Sequence, residues 1–591
     1  MTLTYVVAVS EALAAYAVLA LAFLGWGEGA ARLFRAHSDV AERGSVTVWL
    51  GWAAALLVLQ VVHLFLPLNS IVVAPVFAAG IIMAVPRLRR LVAERRVRGS
   101  RAPIVGLVCL LIAAIWIASR SMLPPENFDS GLYHIPTIRW INSYAIVPGL
   151  GNLHGRFAFN QSFFTYAAAV NAFPFQGFGR GIANSFLVLL LLWQSIELLA
   201  HWRNEAAGTV GNLTIQAAAL VMLSIVVYLS VTSDGLASPT PDLAATLIQL
   251  SMFLIFIQCV TAWRSSEAKD HGVTVLAFLA ATAITVKLST LAFSACVLAV
   301  WLIESRRSYR GARGYADRAA RLAPFALILG VWVIRGYVLS GCPVYPSTSG
   351  CVSVSWAVPL DKVADEARWI FGWARTPGVN WRQVLGSWSW LGPWLSRASH
   401  DIVGIVYPLV SSAILIIGAF LARKLQRNRT KDSASLSWIV LVPVLAGMTF
   451  WFFTAPDPRF GRVFFWLLAL GAALLFVSSI QGAADQRMRG MALWAAVLVA
   501  DASFIGFVLS KPSGLTAVSS RGWMPVETPR VTVRRTLSGL TVYTPGDDDR
   551  CWNAPLPCTP YFTPELRLLG SGLGSGFTVR HDPTSRIRYG Q

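Results

Sequence analysis

The side chains best suited to chemistry lie in residues 128–134, a short segment between a hydrophobic stretch and an amphipathic run. Asp129 is a lone carboxylate just outside the apolar stretch, and His134 follows it in the same segment. A carboxylate beside a partly dry cavity can act as a general base that removes a proton from an attacking hydroxyl. Because Asp129 also precedes a helical pattern, it could instead cap that helix by accepting a backbone N–H bond.

A second polar cluster follows soon afterwards in the same non-membrane segment. It contains His154, Arg156 and Asn160, and its proximity to residues 128–134 favours a catalytic role for the whole segment. Either histidine could instead be an ordinary histidine at a membrane interface. We predict that Asp129 and His134 are catalytic, and that Tyr133, His154 and Asn160 bind substrate.

Further charged side chains occur at the edges of apolar segments later in the chain. Asp234 and Asp242 flank a short Pro-rich loop, where Asp242 could simply be a helix N-cap. Lys287 lies between two apolar spans and could snorkel to the interface. Arg459 could pair with nearby Asp457, but a planar guanidinium also suits a phosphate oxygen. We predict that Asp234 is catalytic, that Asp242 binds substrate, and that the phosphate ligands are Arg459, Lys287 and Arg156.

Composition decides the class of protein that must position these side chains. Of the 591 residues, 55% are hydrophobic and only 13% are charged, and the mean hydropathy is +0.58. A helix needs about 20 mostly apolar residues to cross a bilayer. The pattern predicts an all-α polytopic membrane protein with about 14 transmembrane helices. They lie near residues 3–25, 46–67, 69–85, 103–119, 183–201, 214–232, 243–263, 272–286, 289–304, 323–341, 402–422, 437–454, 462–481 and 491–509.

The arginines and lysines predict the orientation of these helices. Residues 87–101 contain seven arginines, residues 306–321 contain six, and residues 423–431 contain five basic side chains. By the positive-inside rule these loops are cytoplasmic. The net charge of +20 is then mainly a topology signal, and we expect no nucleic-acid partner because no basic domain is present.

All long non-membrane segments then fall on the opposite, outer face. Residues 120–182 suggest two amphipathic helices at the interface, joined by a Gly/Pro-rich turn. Residues 342–401 contain seven tryptophans, which suit either an interfacial aromatic belt or stacking against sugar rings. Residues 510–591 suggest a small β-rich cap. We divide the chain into extra N-terminal helices (1–102), a main membrane module (103–509) and a C-terminal outer segment (510–591).

Cysteine placement provides a separate indication of the outer face. Cys342 with Cys351, and Cys551 with Cys558, form two close pairs in segments assigned to that side. Such pairs suggest an oxidising compartment and two short disulfide loops, although four free thiols are the alternative. Neither pair has neighbouring His or Cys at metal-ligand spacing.

The order of these features resembles the GT-C superfamily of membrane glycosyltransferases. The resemblance covers about residues 103–480: a span, the loop with Asp129, the loop with Asp234 and Asp242, and the hairpin with Lys287. Members often have two adjacent acidic residues, whereas Ser130 follows Asp129, and three extra spans precede the module here. Residues 128–140, 151–164 and 455–460 also resemble segments of bacterial multispanning proteins that have no assigned substrate.

The resemblance implies an inverting transfer of sugar from a polyprenyl-phosphate donor to a glycan, lipid or protein on the periplasmic face of a bacterial inner membrane. Asp129 would be the general base. No nucleotide-binding motif is present, and no cofactor is firmly indicated, although Asp129 and Asp234 could share Mg²⁺ or Mn²⁺. The alternatives are a transporter or flippase of lipid-linked glycans, which should show intramembrane polar paths, and a polymerase or ligase that uses outer-face arginines.

Overall fold

The computed structural model describes residues 3–34, 43–98, 102–174, 176–202, 210–232, 234–265, 272–305, 311–426, 436, 438–480 and 486–579. Most of this part of the chain is α-helical. Several basic residues used to predict the orientation, including Arg101, Arg306 and Lys431, lie outside the described residues. The helices are α1 (Leu3–Leu33), α2 (Gly44–His63), α3 (Ser70–Arg98), α4 (Ala102–Ser121), α5 (Ile135–Ser143), α6 (Phe163–Ala172), α7 (Gly179–Trp202), α8 (Val210–Thr232), α9 (Pro241–Ser265), α10 (Val273–Val286), α11 (Leu291–Glu304), α12 (Gly311–Ser340), α13 (Leu360–Arg375), α14 (Trp381–Val384), α15 (Leu391–His400), α16 (Tyr407–Gln426), α17 (Val442–Thr454), α18 (Pro458–Ile480), α19 (Gln486–Ser510) and α20 (Pro512–Thr516).

Within the described residues, 10 helices are long and apolar enough to cross a membrane. The multi-pass architecture is therefore confirmed, whereas the count of 14 spans remains a prediction. The remaining four predicted spans correspond to shorter apolar helices. The long helices are Leu3–Leu33, Gly44–His63, Ser70–Ala93, Gly179–Ala200, Leu213–Thr232, Pro241–Trp263, Gly314–Ser340, Ile402–Lys424, Pro458–Ile480 and Arg487–Ser510, and the shorter ones are Val105–Ser121, Val273–Val286, Leu288–Glu304 and Trp438–Thr454.

Close packing of α1 against α2 and α3 depends on glycine. A Cβ added at Gly51 of α2 would lie 1.6 Å from the carbonyl oxygen of Phe23 in α1, and one at Gly25 would lie 1.7 Å from that of Gly80 in α3. Small residues allow helix backbones to approach closely where lipid supplies no hydrophobic driving force. These glycines therefore fix the N-terminal three-helix group.

Residues 120–182, the first long segment predicted to lie outside the membrane, contain helices α5 and α6, but α6 differs from the prediction. Its side chains are buried on almost every side, and it packs against α2 and α7. It is therefore part of the helix bundle and not a half-exposed interfacial helix. Between α5 and α6 the chain makes two short 3-10 turns, Leu150–Asn152 and Gly155–Phe159.

The C-terminal segment is β-rich, as predicted, and is small. Strands β1 (Val531–Arg535) and β2 (Thr541–Pro545) form one antiparallel pair, and β3 (Leu566–Leu568) and β4 (Phe577–Val579) form another. Both predicted disulfides are present, with S–S distances of 2.04 Å for Cys342–Cys351 and 2.05 Å for Cys551–Cys558.

This C-terminal cap (residues 517–579) rests directly on the segment that contains Asp129. The Trp552 backbone N–H donates to the Gly131 carbonyl at 2.9 Å, and the Phe577 N–H donates to the Pro148 carbonyl at 2.8 Å. A Cβ at Gly131 would lie 2.5 Å from the Trp552 indole, so only glycine permits this contact. The cap is thereby fixed above the end of the bundle that carries Asp129.

Candidate functional site

Asp129 lies where a π-helical turn (Ser130–His134) leads into α5. Its side chain makes no helix-capping hydrogen bond. One carboxylate oxygen, Oδ1, accepts a hydrogen bond from Arg156 Nη1 at 2.8 Å, and Oδ2 lies 3.6 Å from Arg459 Nη1. The structure therefore does not support the helix-cap alternative for Asp129, because its carboxylate faces two guanidinium groups.

Arg156 is held from several sides. Its Nε lies 3.8 Å from Oε1 of Glu366 in α13, and its guanidinium lies over the Tyr133 ring at 5.5 Å. Burial lowers the pKa of Arg156, but the neighbouring Asp129, Tyr133 and Glu366 outweigh it, so the net shift is upward. Arg156 is therefore a permanent cation that fixes the orientation of Asp129.

Arg459 is held much more loosely than Arg156. Its side chain is 43% exposed, and its two ion-pair contacts are 3.6 Å to Asp129 and 3.9 Å to Asp457. Both distances exceed those of N–H···O hydrogen bonds. Only its backbone N–H, and not the guanidinium, donates a hydrogen bond to the Asp457 carboxylate. The Arg459 guanidinium is therefore available to bind an additional anion.

Lys287 and Asp242 form an ion pair beside this cluster. The Lys287 ammonium lies 3.7 Å from the centre of the Phe460 ring, and the Arg459 guanidinium lies 4.6 Å from the same ring. Burial lowers the pKa of Lys287, while Asp242 opposes that shift. Thr240 Oγ1, at 3.3 Å, accepts from the Asp242 backbone N–H at the start of α9. The Asp242 carboxylate is therefore the ion-pair partner of Lys287. Lys287 does not simply snorkel to the interface.

Buried polar contacts join the loop before α9 to the segment that contains Asp129. Asn184 of α7 donates to the carbonyls of Gly235, Ser238 and Thr240 at 3.0, 2.9 and 2.9 Å. The hydroxyls of Ser238 and Ser130 are hydrogen-bonded to each other. A fully buried amide that meets three carbonyls fixes the loop geometry, which places Asp242 beside the cations.

The two predicted histidines are buried and support neighbouring groups. His134 Nδ1 lies 3.4 Å from Ser130 Oγ, and burial lowers the pKa of His134 to about 4. His154 Nδ1 accepts from the Arg156 backbone N–H at 3.1 Å, and burial, followed by the charge of Arg156, lowers the pKa of His154 to about 3. Both are neutral near pH 7, and His154 helps to form the turn that positions Arg156.

Of the remaining predicted site residues, one lies in the cluster of charged side chains around Asp129 and two do not. Tyr133 belongs to it, because its ring lies beneath Arg156. Asn160 donates to the Trp332 carbonyl at 2.6 Å and fastens the loop between α5 and α6 to α12. Asp234 is exposed in a 3-10 turn and makes none of the ion pairs that join Asp129 to its cations.

A divalent cation at Asp129 gains no support from this geometry. Within the described ranges, no three His, Cys, Asp or Glu residues are grouped so that they could hold a metal. Asp129 instead faces the positive charges of Arg156 and Arg459, which would repel a metal ion at the same position.

Sequence reasoning missed Glu366 and Tyr561. Glu366 lies on the buried side of α13 beside Val363, and burial raises its pKa against the opposing effect of Arg156. Its position on the inner face of an amphipathic helix could have singled it out. The Tyr561 ring lies 5.2 Å from that of His154, and no local pattern in the cap indicates this contact.

Comparison with known proteins gives one match. No curated protein and no solved structure matches the chain significantly. A family model described as "Domain of unknown function (DUF8201)" matches residues 12–466, a range that contains Asp129, Arg156, Glu366 and Arg459. The cap that covers this cluster lies beyond the matched range. Because the match spans most of its length, the chain belongs to the DUF8201 family.

Proposed function

We propose that the protein is an inverting membrane glycosyltransferase that transfers a sugar from a polyprenyl-phosphate donor to a hydroxyl acceptor. The acceptor is a glycan, lipid or protein at the periplasmic face of a bacterial inner membrane. The observation that carries this proposal is the position of Asp129 between a firmly held arginine and a loosely held one. A GT-C-like arrangement of the helices is part of the same proposal.

The two oxygens of Asp129 have different roles in this mechanism. Oδ1 is engaged by Arg156 in a hydrogen bond of 2.8 Å, which holds the carboxylate in one orientation. Among the described residues, Oδ2 has only the long contact to Arg459, and it is the atom that accepts the acceptor's hydroxyl proton. General-base assistance of this kind contributes about 10²–10⁴-fold to a rate.

Arg459 and Lys287 stabilise the leaving group. The donor phosphate draws Arg459 away from Asp129 and Asp457, which removes one positive charge from Oδ2 as the reaction begins. The acceptor oxygen then attacks the anomeric carbon, the glycosidic C–O bond forms, and the bond from that carbon to the phosphate oxygen breaks. Its electron pair stays on the polyprenyl phosphate, whose new charge is stabilised by the two cations.

The test is donor turnover by purified protein in nanodiscs, with a panel of synthetic polyprenyl-phosphate sugars and release of polyprenyl phosphate as the readout. Asp129→Asn keeps the size of the side chain and removes the base, so donor binding should persist while turnover falls about 10²–10⁴-fold. Asp365→Asn is the matched control, because Asp365 pairs with Arg368 on the exposed side of α13.

Each possible result has a clear meaning. Turnover by the native protein and the Asp365 variant, but not by Asp129→Asn, supports the proposal. If no donor in the panel is consumed, or if Asp129→Asn turns over normally, the glycosyltransferase proposal is rejected. Movement of an intact lipid-linked sugar across the bilayer without polyprenyl phosphate release would favour a flippase instead.

A further inference from the structure

A small cavity lies between residues 137–164 and the ends of α2 and α12 that meet them. Its volume is about 30 Å³, and two arginines line it: Arg156 of the site described above and Arg335 of α12. The two arginines differ in their surroundings. Arg156 has two carboxylate partners, Asp129 and Glu366, whereas Arg335 pairs with no carboxylate among the described residues.

Arg335 is only 4% exposed, although it belongs to a helix long enough to span a membrane. Its Nη1 makes contacts of 3.2 Å with the Gln60 carbonyl and 3.0 Å with Nδ1 of His63. His63 Nε2 lies 3.2 Å from the Tyr144 carbonyl and donates to it, so Nδ1 is an acceptor and the imidazole is neutral. Neither the carbonyls nor the neutral His63 therefore carries a negative charge that could balance Arg335.

Two other buried arginines use both of their amino nitrogens as donors to backbone carbonyls. Arg120 donates to the carbonyls of Gly514, Ala517 and Val231 at 2.5, 3.0 and 2.9 Å. Arg180 likewise donates to three backbone carbonyls, and both of its amino nitrogens are used. In Arg335 only Nη1 makes hydrogen bonds to described residues, and the side chain borders empty space.

Other polar atoms of cavity-lining residues are also unsatisfied. Asn160 Oδ1, Gln161 Oε1 and Trp140 Nε1 are buried, and none has a hydrogen-bond partner in the part of the chain that the structure describes. A water molecule needs about 10–15 Å³ of cavity volume. The cavity can therefore hold one water, which would donate to the amide oxygens, together with one small ion.

We infer that this cavity is a binding site for a small inorganic anion of the size of chloride, held by Arg335. A buried guanidinium is costly unless its N–H groups have acceptors, and an anion supplies an acceptor for the Arg335 nitrogens that make no hydrogen bond to described residues. The inference goes beyond the proposed function and does not depend on it. Since Arg156 lines the same cavity, an anion there would also help to hold the arginine that orients Asp129.

The test is thermal unfolding of the full chain in detergent, with chloride titrated against gluconate at constant ionic strength. We expect Tm to rise with chloride concentration and to saturate, because a ligand that binds the folded state stabilises it by mass action. Arg335→Gln should abolish this chloride-dependent shift. Arg180→Gln is the matched control: it also removes a buried arginine, but its Tm should still respond to chloride.

An independent measurement covers the case in which Arg335→Gln does not fold. Replacement of chloride by bromide in crystals of the native protein should give an anomalous peak in the cavity beside Arg335. The absence of that peak together with a Tm that does not depend on the anion would show that the cavity holds water only and would overturn the inference. Stabilisation by inorganic phosphate but not by chloride would also overturn it, because the site would then bind a phosphoryl group.

Discussion

Arg459→Gln separates the proposed phosphate-binding role from a structural one. In the unliganded protein this substitution removes two long ion pairs of a side chain that is 43% exposed. Exposed pairs of this kind contribute about 0–1 kcal/mol, so the free energy of unfolding should hardly change. The loss in the transition state should be much larger, because removing one preorganised donor to a developing anion costs about 2.7–4 kcal/mol, or about 10²–10³-fold in kcat.

The matched control is Arg462→Gln on the same helix. Arg462 is 42% exposed, but its Nε donates a hydrogen bond of 2.6 Å to Asp401, and it takes no part in the ion pairs around Asp129. This variant should lose at least as much stability as Arg459→Gln while kcat/KM stays close to that of the native protein. Arg459→Lys should be intermediate, since a point charge replaces a bidentate fork.

The assay is polyprenyl phosphate release at varied donor concentration, combined with thermal unfolding of each variant in the same detergent. An unchanged kcat/KM for Arg459→Gln would refute the assignment of Arg459 to the leaving phosphate. Equal losses of activity in both variants, in step with their losses of Tm, would show that the activity reports only on the stability of α18.

Three further predictions concern the surroundings of the cluster. Burial raises the pKa of Glu366 above its ordinary 4.5, so just above that pH the folded state binds more protons than the unfolded state. The free energy of unfolding should therefore decrease as pH rises through this window. In a profile of Tm against pH, Glu366→Gln should reduce this decrease. Gly131→Ala should displace the cap, because its Cβ would lie 2.5 Å from the Trp552 indole; limited proteolysis should then cleave residues 517–579 faster than in the native protein. Replacing Cys551 and Cys558 by Ser opens a loop with a sequence separation of 7 and should destabilise the cap by about 2.5 kcal/mol; unchanged hydrogen exchange in the cap would contradict this.

Local patterns in the sequence were sufficient for the broad architecture. Apolar segments of spanning length predicted the multi-pass bundle, because the requirement for about 20 apolar residues acts on contiguous chain. The two disulfides were also predictable, since close cysteine pairs confined to one side of the bundle suggest short loops. The burial of α6 was missed because its surroundings come from α2 and α7, which are distant in sequence.

The candidate site was only partly predictable for the same physical reason. Asp129 stood out because a carboxylate directly after an apolar segment is a local feature of the chain. Its pairing with Arg459 and the contact of Glu366 with Arg156 join segments that are far apart in sequence, so only helix packing could reveal them.

The sequence alone determined the membrane class, the approximate spans, the disulfide pairs and the chemical types of the candidate side chains. Each of these depends on composition or on short-range spacing along the chain. The tertiary structure decided which cations face Asp129, that Asp234 stands apart from those ion pairs, and that Arg335 borders a cavity without a carboxylate among the described residues. Charge interactions and burial depend on distances through space, and those distances exist only once the helices have packed.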